Sequence, residues 1–201
     1  MQIIKKIIKK AELIWYSRYR LVYPGGIPPI TKKRKLIQMY LEKFGAKYFI
    51  ETGTHFGDTT DLISKNNDCT CYSIELDFVL YNKAIERFRK KQNVRLFHGD
   101  SSIILESILP ELCGLALFWL DGHFSGPGTA YGKNETPILY ELKIILKQEN
   151  TFIILIDDAR LFNGKNNYPS IIEIKSLIAK DGRYSFKNSL DIIQIMPKEY
   201  A

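Results

Sequence analysis

The chain has 201 residues, 45% hydrophobic and 25% charged, with a net charge of +7. This balance excludes disordered and collagen-like classes and suits one domain with a sizeable core. No apolar run reaches the roughly 18 residues of a membrane span, and the N-terminus lacks the apolar core and cleavage site of a signal peptide. Three cysteines without metal-ligand spacing suit a reducing, cytoplasmic setting, with Cys69 and Cys71 acting as small hydrophobes. The charge is unevenly placed. Residues 1–36 hold ten Lys or Arg against one acid, Glu12, giving +9, which against +7 for the whole leaves −2 for the rest. A body without basic excess argues against nucleic acid as a partner.

In chain order, Ile3, Ile4, Ile7, Ile8, Ala11, Ile14 and Trp15 recur at helical spacing with four lysines between them. This basic amphipathic helix either contacts an anionic membrane surface through residues 1–20, at the inner face, or packs on its own domain or on a second copy in a homodimer. The Pro- and Gly-rich stretch 21–30 completes an N-terminal segment, 1–30, and the domain proper is expected over 31–201. A helix over 31–44 presents Leu36, Ile37, Tyr40, Leu41 and Phe44 on one face and stops at Gly45. Strands and helices then alternate. Strands are expected at KYFIE, TCYSIELD, NVRLFHGDS, LALFWLDGH and TFIILIDDAR, and helices from Asp58, over about 77–91, through Ile103 to Leu109, over about 136–148, and from Pro169 and Ser170 to about Lys180. The last segment, YSFKNSLDIIQIMP, reads as a hairpin.

Such alternation indicates an α/β fold, a doubly wound and mostly parallel sheet whose ligands bind beyond the carboxyl ends of the strands. Those ends carry Glu51, Glu75, Asp100, Asp121 and the pair Asp157/Asp158. Any one acid there could simply cap the next helix, as Asp58 or Asp100 could. Acids at five successive strand ends suggest a site. The loop from Gly122 to Glu135, with four glycines and a proline, is long for an α/β connection and suits a lid or substrate binder.

At these residues the chain resembles the class I S-adenosylmethionine-dependent methyltransferases over roughly 45–197. ETGTHFG matches that family's acid-x-Gly-x-x-x-Gly motif better than a dinucleotide-binding G-x-G-x-x-G, which would need glycines where His55 and Asp58 stand. The resemblance implies a seven-stranded sheet with an antiparallel terminal hairpin, the Rossmann-like methyltransferase fold. It implies S-adenosylmethionine bound by Glu51, Thr52, Gly53, Thr54, Gly57 and Thr59 of the first turn, Glu75 with Leu76 at the ribose, Asp100 with Ser101 at the adenine, and Asp121. His55 is expected to shape the pocket.

The carboxylates of Asp121, Asp157 and Asp158 should meet beside the methyl donor, where a divalent cation would relieve their repulsion. This arrangement looks like that of metal-dependent O-methyltransferases of the catechol and macrocin types, in which such acids hold Mg²⁺. The implied activity is metal-assisted O-methylation of a hydroxylated small molecule, sugar or glycan. Asp121, His123 and Asp157 are the candidate catalytic groups; Asp121, Asp157 and Asp158 are the candidate metal ligands. Arg160, Tyr131 and Lys133 are candidate substrate contacts. Two other readings stay open: a cofactor-binding module without catalysis, and a hydroxylase-like enzyme on the same fold. The segment WLDGH at the fourth strand, in place of an Asn-Pro-Pro-Tyr-like motif, again disfavours nucleic-acid methylation.

Overall fold

The structure is a computed structural model that describes residues 27–122 and 136–200. The basic helix expected within residues 1–20, most of the linker, and the loop bearing His123, Tyr131 and Lys133 lie outside the described residues. Among the described residues, no helix is long and apolar enough to cross a membrane.

Helix α1 (Ile30–Phe44) leads into β1 (Tyr48–Thr52), and the chain then alternates through α2 (Asp58–Ile63), β2 (Thr70–Glu75), α3 (Phe78–Phe88), β3 (Val94–His98), α4 (Ser101–Ile108), β4 (Ala116–Leu120), α5 (Ile138–Leu146), β5 (Ile153–Ile156) and α6 (Ile171–Asp181) to the hairpin β6 (Tyr184–Ser189) and β7 (Ile192–Pro197). Gly45, left-handed at φ 64°, ends α1 as expected of a glycine after a helix. At the start of α6, Ser170 Oγ accepts from the Glu173 N–H and the Glu173 carboxylate accepts from the Ser170 N–H, a capping box that closes two orphan donors.

The seven strands form one sheet in the order β3-β2-β1-β4-β5-β7-β6. Pairing from β3 to β5 is parallel, and β7 enters antiparallel between β5 and β6. This is the expected doubly wound sheet with a terminal antiparallel hairpin. Alternation along each strand divides the core. Ile50, Phe118 and Ile154 face one apolar layer, under α4, α5 and α6, while Phe49, Trp119 and Leu155 face the other, under α1 and α2. The continuous apolar runs of β4 and β5, buried at every residue, follow from cover on both faces.

Phe118 is fully buried on the central strand β4, with its ring packed edge-on against Phe152 at 5.4 Å between centroids. Phe118→Ala is expected to cost about 3–5 kcal/mol in chemical denaturation, from lost burial and the cavity left behind.

Candidate functional site

The crossover direction reverses between β1 and β4, so the carboxyl ends of β2, β1, β4 and β5 form one edge beside that switch point. Backbone bonds extend the ladder beyond the strands: Gly53 N–H donates to the Ile74 carbonyl at 2.9 Å, Asp121 N–H to Thr52 at 3.1 Å and Asp157 N–H to Leu120 at 3.1 Å. The first turn therefore presses against the start of the β4 loop. A Cβ on Gly53 would stand 2.6 Å from the Asp121 carbonyl oxygen, and Gly53 has φ +84°, so glycine is required there on two counts. Thr54 N–H also donates to Ile74, and Gly57 N–H to Thr54, so these donors are spent within the turn.

The acids of this edge differ in burial and in hydrogen-bond partners. Glu51, expected at the cofactor ammonium, is 2% exposed. Its Oε2 accepts from Thr60 Oγ1 at 2.5 Å and Ser73 Oγ at 2.9 Å, tying β1 to α2 and β2. Burial pushes Glu51 up to about 7, against the lowering effect of those two hydroxyls. Glu75 stands at the end of β2 with each carboxylate oxygen fixed by one backbone donor, His55 N–H at 2.7 Å and Asp77 N–H at 2.9 Å. Each oxygen keeps another lone pair for a ligand. His55 adopts φ 50° and lays its ring 4.0 Å from that of Phe56, so the turn itself directs the Glu75 carboxylate.

Leu76 is partly exposed, and its carbonyl meets His98 Nε2 at 3.2 Å. Asp100 caps α4, its Oδ1 accepting from Ser102 N–H at 2.9 Å and Ser102 Oγ at 2.6 Å. Asp58 does not cap α2. Gly57 holds that position, and Asp58 pairs with Arg87 at 2.7 Å and Arg34 at 3.3 Å. Thr52, Thr54 and Thr59 are buried, Thr54 sharing a hydroxyl hydrogen bond with Ser73 at 2.7 Å and Thr59 accepting from Arg34 at 3.3 Å. Ser101 Oγ donates at 2.6 Å to Glu141, a residue the sequence did not single out, 1% exposed on α5. Burial pushes Glu141 up to about 7, eased in part by the Ser101 hydroxyl.

Beyond β5, Asp157 and Asp158 meet an internal cation. Lys33 of α1 is 4% exposed and its Nζ donates to Asp157 Oδ1 and, at 2.8 Å, to Asp158 Oδ1. Asp191 Oδ2 lies 3.6 Å from the same ammonium. Arg160 pairs with Asp158 at 2.7 Å and also with Asp191. Asp157 Oδ1 in addition accepts from the Asp158 N–H at 2.7 Å. Burial first, then the neighbouring charges of Asp121 and Asp158, push Asp157 up to about 7, while Lys33 opposes the rise. Lys33 itself stays above its ordinary value: burial favours the neutral amine, but the charges and hydrogen bonds of Asp157 and Asp158 outweigh it. Among the described residues, no group of three or more His, Cys, Asp or Glu side chains is disposed to hold a metal ion.

Lys33, Asp191 and Glu141 are the participants that sequence reasoning missed. For Lys33 a signal existed: it lies four residues before Ile37 and eight before Leu41, on the buried stripe of α1. A lysine on an apolar stripe must find a buried acid.

Structural comparison places this geometry among known folds. An O-methyltransferase from Bacillus cereus in complex with SAH superposes with a TM-score of 0.58 at 18% identity, covering 93% of this chain and 90% of that one. The SAH-bound methyltransferase PaMTH1 from Podospora anserina gives 0.59 at 15% identity, covering 91% and 86%. TomG, an O-methyltransferase from Streptomyces achromogenes in complex with SAM, gives 0.53 at 14% identity, covering 83% and 79%. The chain has the class I methyltransferase fold. No protein-family model and no curated protein matches its sequence. Within the methyltransferase fold, Gly53, Glu75 and Asp121 lie at the switch-point edge, whereas Glu51 lies beneath it as an anchor.

Gly53→Ala is expected to lower Tm by about 2–8 °C, since forcing a side chain into the left-handed region costs about 1–2 kcal/mol before the backbone clash is counted. Glu51 and Glu141 hold their protons up to about 7 when folded, against about 4 when unfolded, so the folded state binds more protons in that interval. Their contribution to stability therefore falls as pH rises from about 4 to about 7, and thermal melts should show a higher Tm near pH 5.5 than near pH 8. Glu51→Gln should flatten that slope.

Proposed function

We propose that this protein is an S-adenosylmethionine-dependent methyltransferase acting on a hydroxyl group of a small molecule, sugar or glycan. The observation that carries the reading is the pairing of the Gly53 turn, pressed on Asp121, with a nearly buried Glu75 whose two oxygens are oriented by backbone donors. A bidentate carboxylate of this kind suits two adjacent ribose hydroxyls, and it stands at the end of β2, one strand from the switch point. The structural neighbours with bound SAM or SAH support the same cofactor.

The cofactor supplies a methyl group made electrophilic by its attachment to a sulfonium. Everything else falls to the chain: holding the acceptor in line and taking the proton that its oxygen loses as the new O–C bond forms. Asp121 and Asp157 are the described carboxylates at that edge suited to receive the proton. Burial and the charges of Asp121 and Asp158 raise Asp157 above the ordinary carboxylate range, which favours its taking up a proton, while Lys33 opposes the rise. An open groove of about 380 Å³ next to the cluster is lined by Arg160, Asn163, Asn188 and Asp191. Ala159, Phe162 and Ile171 complete its lining, so it offers carboxamide and guanidinium donors for hydroxyls beside an apolar wall.

The expectation that Asp121, Asp157 and Asp158 hold Mg²⁺ meets an obstacle. One oxygen of each, Asp157 Oδ1 and Asp158 Oδ1, already receives the Lys33 ammonium, whose positive charge repels a second cation beside it. As arranged, these residues do not fit a divalent cation, and no step is assigned to one.

Calorimetric titration with S-adenosylmethionine and S-adenosylhomocysteine tests the proposal, followed by methyl transfer from labelled cofactor to a panel of sugars and catechols. Saturable binding of both is expected, and absence of binding would remove the proposal. Glu75→Ala is expected to weaken cofactor binding about 10–100-fold, the loss of one or two hydrogen bonds to a charged group.

A further inference from the structure

Lys33 occupies a position with an unusual set of neighbours. Its side chain is 5% exposed, and three carboxylates converge on it from two separate parts of the chain: Asp157 and Asp158 after β5, and Asp191 from the β6–β7 turn. An ammonium has three N–H donors and no acceptor, so three acids around one Nζ match its donor count. Arg160 supplies the second positive charge, on Asp158 and Asp191. The acids are held there by backbone that resists relaxation. Asp158 has φ 52° and Asp191 φ 59°, both in the left-handed region. Asp191 is fixed further through its own backbone, its carbonyl accepting from Ala159 N–H at 2.9 Å, while its Oδ1 accepts from Arg160 N–H at 2.9 Å. The cluster is thus built from all sides around a cation that the chain itself provides.

We propose that Lys33 is the resident cation of this carboxylate cluster, taking the place a divalent metal would occupy at the acceptor edge of the methyltransferase fold. The substitution has chemical consequences. The ammonium is tethered through α1, so the positive charge cannot exchange with solvent ions, and with Asp157 Oδ1 and Asp158 Oδ1 held by it a Mg²⁺ ion at the same carboxylates would meet its repulsion unless Lys33 leaves. Withdrawing Lys33 would leave α1 with an unpaired ammonium on its buried stripe beside Ile37 and Leu41. A fixed monovalent cation also offers no open coordination positions, so two acceptor oxygens cannot be chelated there as on a metal. Resting on the methyltransferase reading, this makes transfer by this chain independent of divalent cations, with the acceptor oriented by side chains of the groove instead. The cation's role is positioning: it holds Asp157 and Asp158 and fastens α1 to the end of β5.

The test measures metal and stability directly and does not depend on turnover. The purified protein, stripped with EDTA, is titrated calorimetrically with MnCl₂ beside Asp157→Asn, and melted beside Lys33→Met and the double variant Lys33→Met/Asp157→Asn. We expect no Mn²⁺ binding that depends on Asp157. Lys33→Met should lower Tm by roughly 6–15 °C, the penalty of leaving buried carboxylates unpaired. The double variant should recover part of that loss, because it removes one of the stranded charges. Saturable Mn²⁺ binding by the wild type that Asp157→Asn abolishes would overturn the proposal. So would a Lys33→Met protein that melts with the wild type, or a double variant no more stable than the single one. If Lys33→Met cannot be purified, recovery of folded double variant supports the proposal, and failure of both overturns it. Cofactor titration of the wild type before and after EDTA treatment separates the two readings: no binding in either state would count against the methyltransferase assignment and leave the Lys33 result standing, whereas binding lost only on EDTA treatment would overturn the Lys33 proposal.

Discussion

Parallel pairing of β1 with both β2 and β4 is the constraint on which the rest of this molecule depends. Parallel neighbours demand crossovers, the crossovers supply the helices that cover both faces, and all five parallel strands must then end at one edge. The hydrogen-bond ladder runs beyond the strands into the turns, from Gly53 to Ile74 and from Asp121 to Thr52. This places two loops in backbone contact and leaves room for a glycine alone at residue 53. That edge is therefore a product of register, and Glu75 and Asp121 stand at it because β2 and β4 are the two neighbours of β1.

Buried charge is the second organising term. Five charged side chains gather at the end of β5 and the tip of the terminal hairpin, three acids against Lys33 and Arg160. Burying a charge is tolerable only when it is paired, and the low dielectric that makes the isolated charge costly also strengthens the pair. Backbone strain is concentrated at the same place. Asp158, Leu190 and Asp191 are all left-handed, and the last two form a two-residue hairpin turn with positive φ at both positions. Such turns favour Gly, Asn or Asp. A leucine there is held by its packing against the apolar layer under α1, while Asp191 is held by Arg160.

The acids of the strand ends thus have different physical roles although they look alike. Glu51 and Glu141 are sealed, bonded to hydroxyls and pushed towards the neutral form by burial, which suits groups that fasten α2 to β1 and β2 and α5 to α4. Glu75 is fixed by backbone donors at the edge itself. Asp157 combines both characters, sealed against Lys33 yet close enough to Asp121 to feel its charge. Burial and hydrogen-bond partners distinguish them, whereas residue type does not.

Much of the architecture was legible in the sequence. Periodicity alone determined the alternation of strands and helices, since buried parallel strands must be apolar throughout and helices must carry a stripe, and residues such as Gly45 and Ser170 mark their ends for local backbone reasons. The acid-glycine turn and the acids at successive strand ends likewise pointed to the switch-point edge. What only the tertiary structure decided is which of these groups meet. Lys33 and Asp157 are 124 positions apart, and Ser101 and Glu141 are 40 apart. Lysine 33 sat in a run of basic residues that reads as a solvated face, and its burial depends on how α1 is rotated against β5. Asp191 reads as a plain turn residue until the antiparallel insertion of β7 beside β5 carries it to Asp158. Local patterns encode which elements form, because they act over a few residues; charge pairing acts through space, and it is set by packing that no single stretch of the chain contains.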